Sequence, residues 1–168
     1  MLNASVLDQY PGVDTDAVQA LLEEKCRQDR HKIIVLDDDP TGVQTVHDVS
    51  VYTDWSYDSI KKGFEEDGKL FYILTNSRGF TVEQTTRAHL EIGETAAKVS
   101  EETGIDYVIV SRGDSTLRGH YPLETELLAR AEEKHRGRAV DGEIICPYFK
   151  EGGRFTIGNV HYVKYGNG

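Results

Sequence analysis

Ile33-Ile34-Val35-Leu36, followed at once by Asp37-Asp38-Asp39-Pro40-Thr41-Gly42, is the stretch on which the fold turns. Four consecutive apolar residues, mostly β-branched, read as a strand covered on both faces, because a half-exposed strand would alternate. The switch to acidic, Pro- and Gly-bearing residues ends that strand in a polar loop. The same succession recurs twice. Leu70-Phe71-Tyr72-Ile73-Leu74 runs into Thr75-Asn76-Ser77-Arg78-Gly79, and residues 107–110 run into Ser111-Arg112-Gly113-Asp114-Ser115-Thr116-Leu117-Arg118-Gly119-His120.

Helical patterns fill the intervals. Asp14 or Thr15 caps a helix over 16–27, with Val18, Leu21 and Leu22 on one face. A short strand at 49–52 precedes a helix opened by Ser56, running to about residue 66 and ended by Gly68. Thr81 and Gln84 have capping-box spacing, and Ala88, Ile92, Ala96 and Val99 follow at helical intervals until Gly104. Pro122 belongs in the first turn of a helix ending near residue 134. A further strand is expected at 143–146, halted by Pro147, and a hairpin pairs 155–157 with 161–165. Strands alternating with helices place the chain in the α/β class: a mainly parallel sheet with helices on both faces, ending in an incomplete or hairpin-like segment. Residues 1–30 read as an N-terminal arm and helix, and 31–168 as the α/β domain that carries the binding loops.

The 168 residues are 38% hydrophobic and 29% charged, enough for a packed core. Against 29 acidic residues stand 19 basic ones, a net charge of -10, which excludes nucleic acid as the main partner. No apolar run approaches the ~20 residues of a membrane span, so no membrane partner is expected. Cys26 and Cys146 lack metal-ligand spacing and no signal peptide precedes them, so reduced thiols and a cytoplasmic location are expected. The chain has no GxxxxGK[ST], no GxGxxG and no GxSxG.

In a parallel sheet the three polar loops share the C-terminal edge, where such sheets bind ligands. Arg112 and Arg118 present two forks suited to a carboxylate or phosphate, and Asp114, Ser115 and Thr116 suit sugar hydroxyls. That set predicts a small, anionic, polyhydroxylated ligand. Three adjacent aspartates repel one another and require cations, hydroxyl donors or water. Metal coordination, general-base work and grip on substrate hydroxyls are all open to them, and one is expected to cap the turn. Strand alternation sends Asp37 and Asp39 to one side and Asp38 to the other. Asn76 and Arg78 read as site residues or as a turn former and a surface charge. His120 reads as a proton shuttle or a surface histidine, and His47 is no stronger.

Asp-Asp-Asp-Pro-Thr-Gly after the first strand, Asn76-Ser77-Arg78 after a later one, and Asp114-Ser115-Thr116-Leu117-Arg118-Gly119 resemble the four-carbon acid sugar kinase family. Gly153-Arg154 and Gly158 are similar to its following loop, and the resemblance spans about 33–165. It implies an ATP-dependent kinase of tetronate-type sugar acids whose amino-terminal domain binds the sugar acid. A second domain would carry most of the site for ATP and Mg. By this resemblance the chain is the substrate half alone, truncated and inactive by itself, with no metal ligand of its own. Asp38, Asp39, Arg78, Arg112, Gly113, Asp114 and Ser115 would contact substrate, and Arg118 would bind the carboxylate or orient its loop. Asp39 and Asp114 are the candidates for the base. The family often carries lysine near the positions of Arg112 and Gly113. An apolar face left by an absent domain would favour homo-oligomers.

Two other readings fit part of the pattern. Asp37-x-Asp39-x-Thr41 with Thr75 matches a haloacid-dehalogenase-type phosphatase, with Asp37 as nucleophile, Asp39 as acid/base and magnesium between them. No later acidic pair completes that metal site, and the Asp114–Gly119 string is left unexplained. The other reading is a non-catalytic domain that binds a sugar acid without chemistry.

Overall fold

The computed structural model describes residues 3–137 and 139–166. The chain forms two compact units, one of residues 30–144 and one of residues 1–29 with 145–168.

The larger unit holds four parallel strands: β1 (Lys32–Asp37), β2 (Val51–Tyr52), β3 (Leu70–Leu74) and β4 (Tyr107–Arg112), in the order β2-β3-β1-β4. The apolar run 33–36 is therefore central, hydrogen-bonded on both sides, as its uninterrupted hydrophobicity requires. Two helices return the chain between strands, α2 (Tyr57–Glu65) and α3 (Val82–Thr103), and a third, α4 (Leu123–Arg136), follows β4.

Alternation along the strands sends Ile34 and Leu36 of β1 to the same face as Phe71 and Ile73 of β3. On that face they meet Ile60 and Phe64 from α2, Ile92, Ala96 and Val99 from α3, and Leu128 from α4, all buried. Phe64 packs edge-on against Tyr107 with ring centroids 5.8 Å apart. The opposite face carries Val35 and Tyr72, both buried, and Val108 and Val110, both exposed on β4.

The capping box at α3 is complete. Thr81 Oγ1 accepts from the Gln84 backbone N–H, the Gln84 side chain accepts from the Thr81 N–H, and Gly104 closes the helix in the left-handed region at φ 68°. Gly68 does not end α2. The helix stops at Glu65, Glu66 turns extended, and Lys32 Nζ takes the carbonyls of Glu66 and Gly68.

In the smaller unit Asp14 caps α1 (Thr15–Gln28), whose Val18, Leu21 and Leu22 are each more than half exposed. A hairpin pairs β5 (Arg154–Ile157) with β6 (Val160–Val163) through Gly158 and Asn159, both at positive φ, the signature of a tight two-residue turn. The strand expected at 143–146 does not form. Ile144 is 94% exposed, and the run pairs with no strand edge. Among the described residues no helix is long and apolar enough to cross a membrane.

Two helical glycines mark the closest contacts of the core. A Cβ at Gly93 of α3 would lie 2.6 Å from Ala131 Cβ of α4, and one at Gly63 of α2 would lie 2.7 Å from the Phe71 ring. In an open helix Gly→Ala stabilises by up to ~1 kcal/mol. At Gly93 overpacking reverses the sign, because neither backbone can yield alone, so Gly93→Ala is expected to destabilise by about 1–3 kcal/mol. Urea unfolding monitored by circular dichroism measures this, and a stabilised variant would contradict the close α3–α4 approach.

Candidate functional site

Because β1 lies between β3 and β4, the loops that follow these three strands meet at one edge. Backbone bonds join them: the Asp38 N–H donates to the Arg112 carbonyl at 3.2 Å, the Thr75 N–H to the Asp37 carbonyl at 3.0 Å, and the Arg78 N–H to the Asp38 carbonyl at 3.2 Å. The first loop thus acquires a guanidinium from each neighbour.

The repulsion within the aspartate triplet is answered by those two arginines. Arg78 makes a two-pronged bond to Asp38, Nε to Oδ2 at 2.9 Å and Nη2 to Oδ1 at 2.8 Å, and its Nη1 also pairs with Asp39. Arg112 Nη1 lies 3.0 Å from both Asp37 Oδ1 and Asp39 Oδ1, and its Nη2 donates to Thr41 Oγ1 at 3.2 Å. Asp37 and Asp39 share Arg112, Asp38 takes the Arg78 fork, and the two arginines bridge the triplet, with Arg78 also reaching Asp39 and Arg112 Nη1 lying 3.8 Å from Asp38 Oδ1. Asp39 is also the turn cap, accepting the Thr41 N–H at 2.9 Å.

The three carboxylates differ in environment. Asp37 is fully buried, its Oδ2 has no hydrogen-bond partner, and burial raises its pKa above the ordinary value despite Arg112. At Asp39 burial acts upward too, but the bonds from Thr41 and the charges of Arg78 and Arg112 outweigh it and hold the carboxyl below its usual range. Oxygens of all three converge within 4.8 Å, close enough for a cation. The positive charge at that point is supplied by guanidinium nitrogens.

The loop after β4 folds back on itself. Arg118 grips Asp114 through Nε at 3.1 Å and Nη2 at 2.8 Å, and the Thr116 N–H donates to the same carboxylate at 3.0 Å. Those bonds, led by Arg118, hold Asp114 well below the ordinary carboxylate range. Leu117 at φ 58° and Gly119 at φ 117° make the reversal. It lays Gly113 and Gly119 over Asp38, where a Cβ on either would lie 3.7 Å or 3.5 Å from Oδ2. Ser115 is half-buried in this loop, and Arg118 stays largely exposed.

The residues singled out from sequence therefore form two ionic groups. Asp38, Asp39, Arg78 and Arg112 make one; Asp114 and Arg118 make the other, with Gly113 bordering the first. Asn76 is a turn former at φ 54°, and His120 donates Nε2–H to the Phe80 carbonyl at 2.9 Å, a supporting bond. His47 pairs with its exposed neighbour Asp48. Sequence reasoning missed the part played by Thr41 and by Gly42, where a Cβ would lie 2.2 Å from Asp37 Oδ2. The tight Asp-x-Pro-Thr-Gly spacing was their only signal.

A family model described as the sugar-binding N-terminal domain matches residues 33–167. Comparison with curated proteins finds no match, nor does comparison with solved structures.

Gly42→Ala is expected to force Asp37 off Arg112, since the buried carboxylate has nowhere to retreat, and to cost about 1–3 kcal/mol in urea unfolding. Unchanged stability would refute the contact. Asp114 has a depressed folded-state pKa, so its ionised form contributes stability above the unfolded carboxylate pKa of about 3.9. That contribution is lost as pH falls through the folded value. The stability deficit of Asp114→Asn is accordingly expected at neutral pH and should shrink below about pH 4; a deficit independent of pH would rule out the Arg118 bond as its source.

Proposed function

The chain belongs to the sugar-binding N-terminal domain family of the four-carbon acid sugar kinases, and from that premise we propose that its three loops hold a tetronate-type sugar acid for phosphorylation by ATP. The observation that carries this reading is the state of Arg112. Of the five N–H donors of a guanidinium, about three are spent on Asp37, Asp39 and Thr41. The Nε–H and one Nη2–H remain, on a side chain one-third exposed and fixed in place by its partners. A guanidinium so held receives a substrate carboxylate without further ordering cost.

Ionised carboxylates are hydrogen-bond acceptors, so Asp39 and Asp114 suit the hydroxyls of a polyol. Their depressed pKa values oppose the tuning of a general base, which works best near the operating pH. Phosphoryl transfer asks mostly for positioning and charge stabilisation, so hydroxyl orientation is the role assigned to both. ATP and magnesium enter the proposal as co-reactants. The described residues do not fit them: the chain has no glycine-rich phosphate loop, and guanidiniums already balance the aspartates. This chain's part is therefore substrate binding, and no step through the nucleotide is assigned to it. The phosphatase reading asks Asp37 to attack a phosphorus atom, and Asp37 is fully buried against Gly42 and Arg112.

Calorimetric titration of the chain with threonate, erythronate and 3-oxo-tetronate tests the proposal. Saturable binding of at least one acid is expected, weakened about tenfold or more by Arg112→Lys, which removes the fork but keeps the charge. No binding by any of the three, or equal binding by the lysine variant, would defeat it.

A further inference from the structure

A carboxylate buried in the first turn of a helix is costly unless it is paired. Glu124 is such a group. It is 7% exposed, at the start of α4, with no arginine or lysine bonded to it among the described contacts. Its Oε1 accepts from Ser77 Oγ at 3.3 Å and faces His89 Nε2 at 3.8 Å. The His89 Nδ1–H is committed to the Thr85 carbonyl at 2.9 Å, so the ring is held and cannot turn away.

Ser77 is the residue before Arg78 and is itself fully buried. Its Oγ accepts from Thr75 Oγ1 at 3.0 Å, and the same hydroxyl lies 3.0 Å from the Asp37 carbonyl. A continuous chain of polar groups thus runs from α4 through Ser77 and Thr75 to the end of β1. On the other side of Arg78, the Phe80 carbonyl is held by His120, four residues before Glu124. The segment that opens α4 consequently fastens the Arg78 turn at two points, one on each side of the guanidinium-bearing residue.

We propose that Glu124 is a positioning residue for the candidate site: by accepting the Ser77 hydroxyl it sets the 77–79 turn, so that the Arg78 fork meets Asp38 and faces the ligand. Arg112 is held directly by the side chains of Asp37, Asp39 and Thr41 and bonds to neither Ser77 nor Glu124, so the larger effect falls on Arg78. Only the affinity arm of the test below rests on the sugar-acid reading.

The experiment follows the Nε–H resonances of Arg78 and Arg112 by nitrogen-edited NMR of the intact chain, together with sugar-acid affinity. In Glu124→Ala the Arg78 Nε–H is expected to exchange with solvent about tenfold faster, and affinity to fall by a similar factor. The Arg112 Nε–H should change far less. Glu124→Gln keeps an Oε1 acceptor for Ser77 and should restore both readouts. Ser77→Ala should reproduce the loss, and it decides the question if Glu124→Ala does not fold. Unchanged Arg78 exchange, equal acceleration at Arg112, or failure of the glutamine variant to rescue would each overturn the proposal. A wild-type chain that binds no tetronate defeats the proposed function, and the Arg78 exchange arm still judges Glu124.

Discussion

Three consecutive carboxylates at the end of the central strand are the constraint around which the larger unit is built. Unpaired, Asp37, Asp38 and Asp39 would repel one another in a site where water is partly excluded. Neutralisation by Arg78 and Arg112 requires guanidiniums from two directions at once, and only a strand with a parallel neighbour on each side receives loops from both. The strand order β2-β3-β1-β4 is thus more than a packing solution. It sets the ionic cluster, and the cluster rigidifies the two guanidiniums. Buried ion pairs are weak contributors to net stability, because desolvation offsets most of the attraction. The gain here is geometric: two guanidiniums with few rotameric alternatives.

Much of this was legible in the sequence because the signals were local. The run 33–36 could only be a buried strand, Thr81 and Gln84 announced a capping box that the structure completes, and three strand-then-loop successions implied a shared edge. What escaped was non-local. No rule of spacing says that Arg78 and Arg112 meet the same aspartate, because the residues that converge on Asp39 are distributed over three loops. No spacing connects Glu124 with Ser77, 47 residues apart, and only their burial against each other joins them. A glycine inside a helix weakens it by propensity, and the need for one at Gly63 and Gly93 shows only once the neighbouring Phe71 and Ala131 are in place. The segment 143–146 failed for the converse reason. Its apolar, β-branched composition satisfies a strand pattern, yet a strand also needs a partner edge, and Ile144 ends in solvent.

The protonation pattern of the site follows from the same geometry. Asp37 is taken furthest from water and is pushed toward the neutral acid, while Asp39 and Asp114, wrapped by hydrogen bonds from Thr41, Thr116 and arginines, are kept ionised. Chemically identical side chains are thereby divided between two duties. Asp37 anchors Arg112, while Asp39 and Asp114 each fix the turn that follows them.

The position of β1 also gives it one pairing of much longer range than the other. Ile33 pairs with Leu70, but Lys32 pairs with Tyr107, so the second pairing closes a segment about twice as long. The extra closure entropy is only about 0.6 kcal/mol. The kinetic weight is larger, since sequence-distant parallel pairing is what slows folding. Until β4 arrives, Asp37 has no Arg112, and β1 ends in a concentration of negative charge that discourages compaction at that edge. The rim that carries Arg78 and Arg112 is therefore complete only once β4 has paired with β1, and it loses Arg112 when β4 detaches.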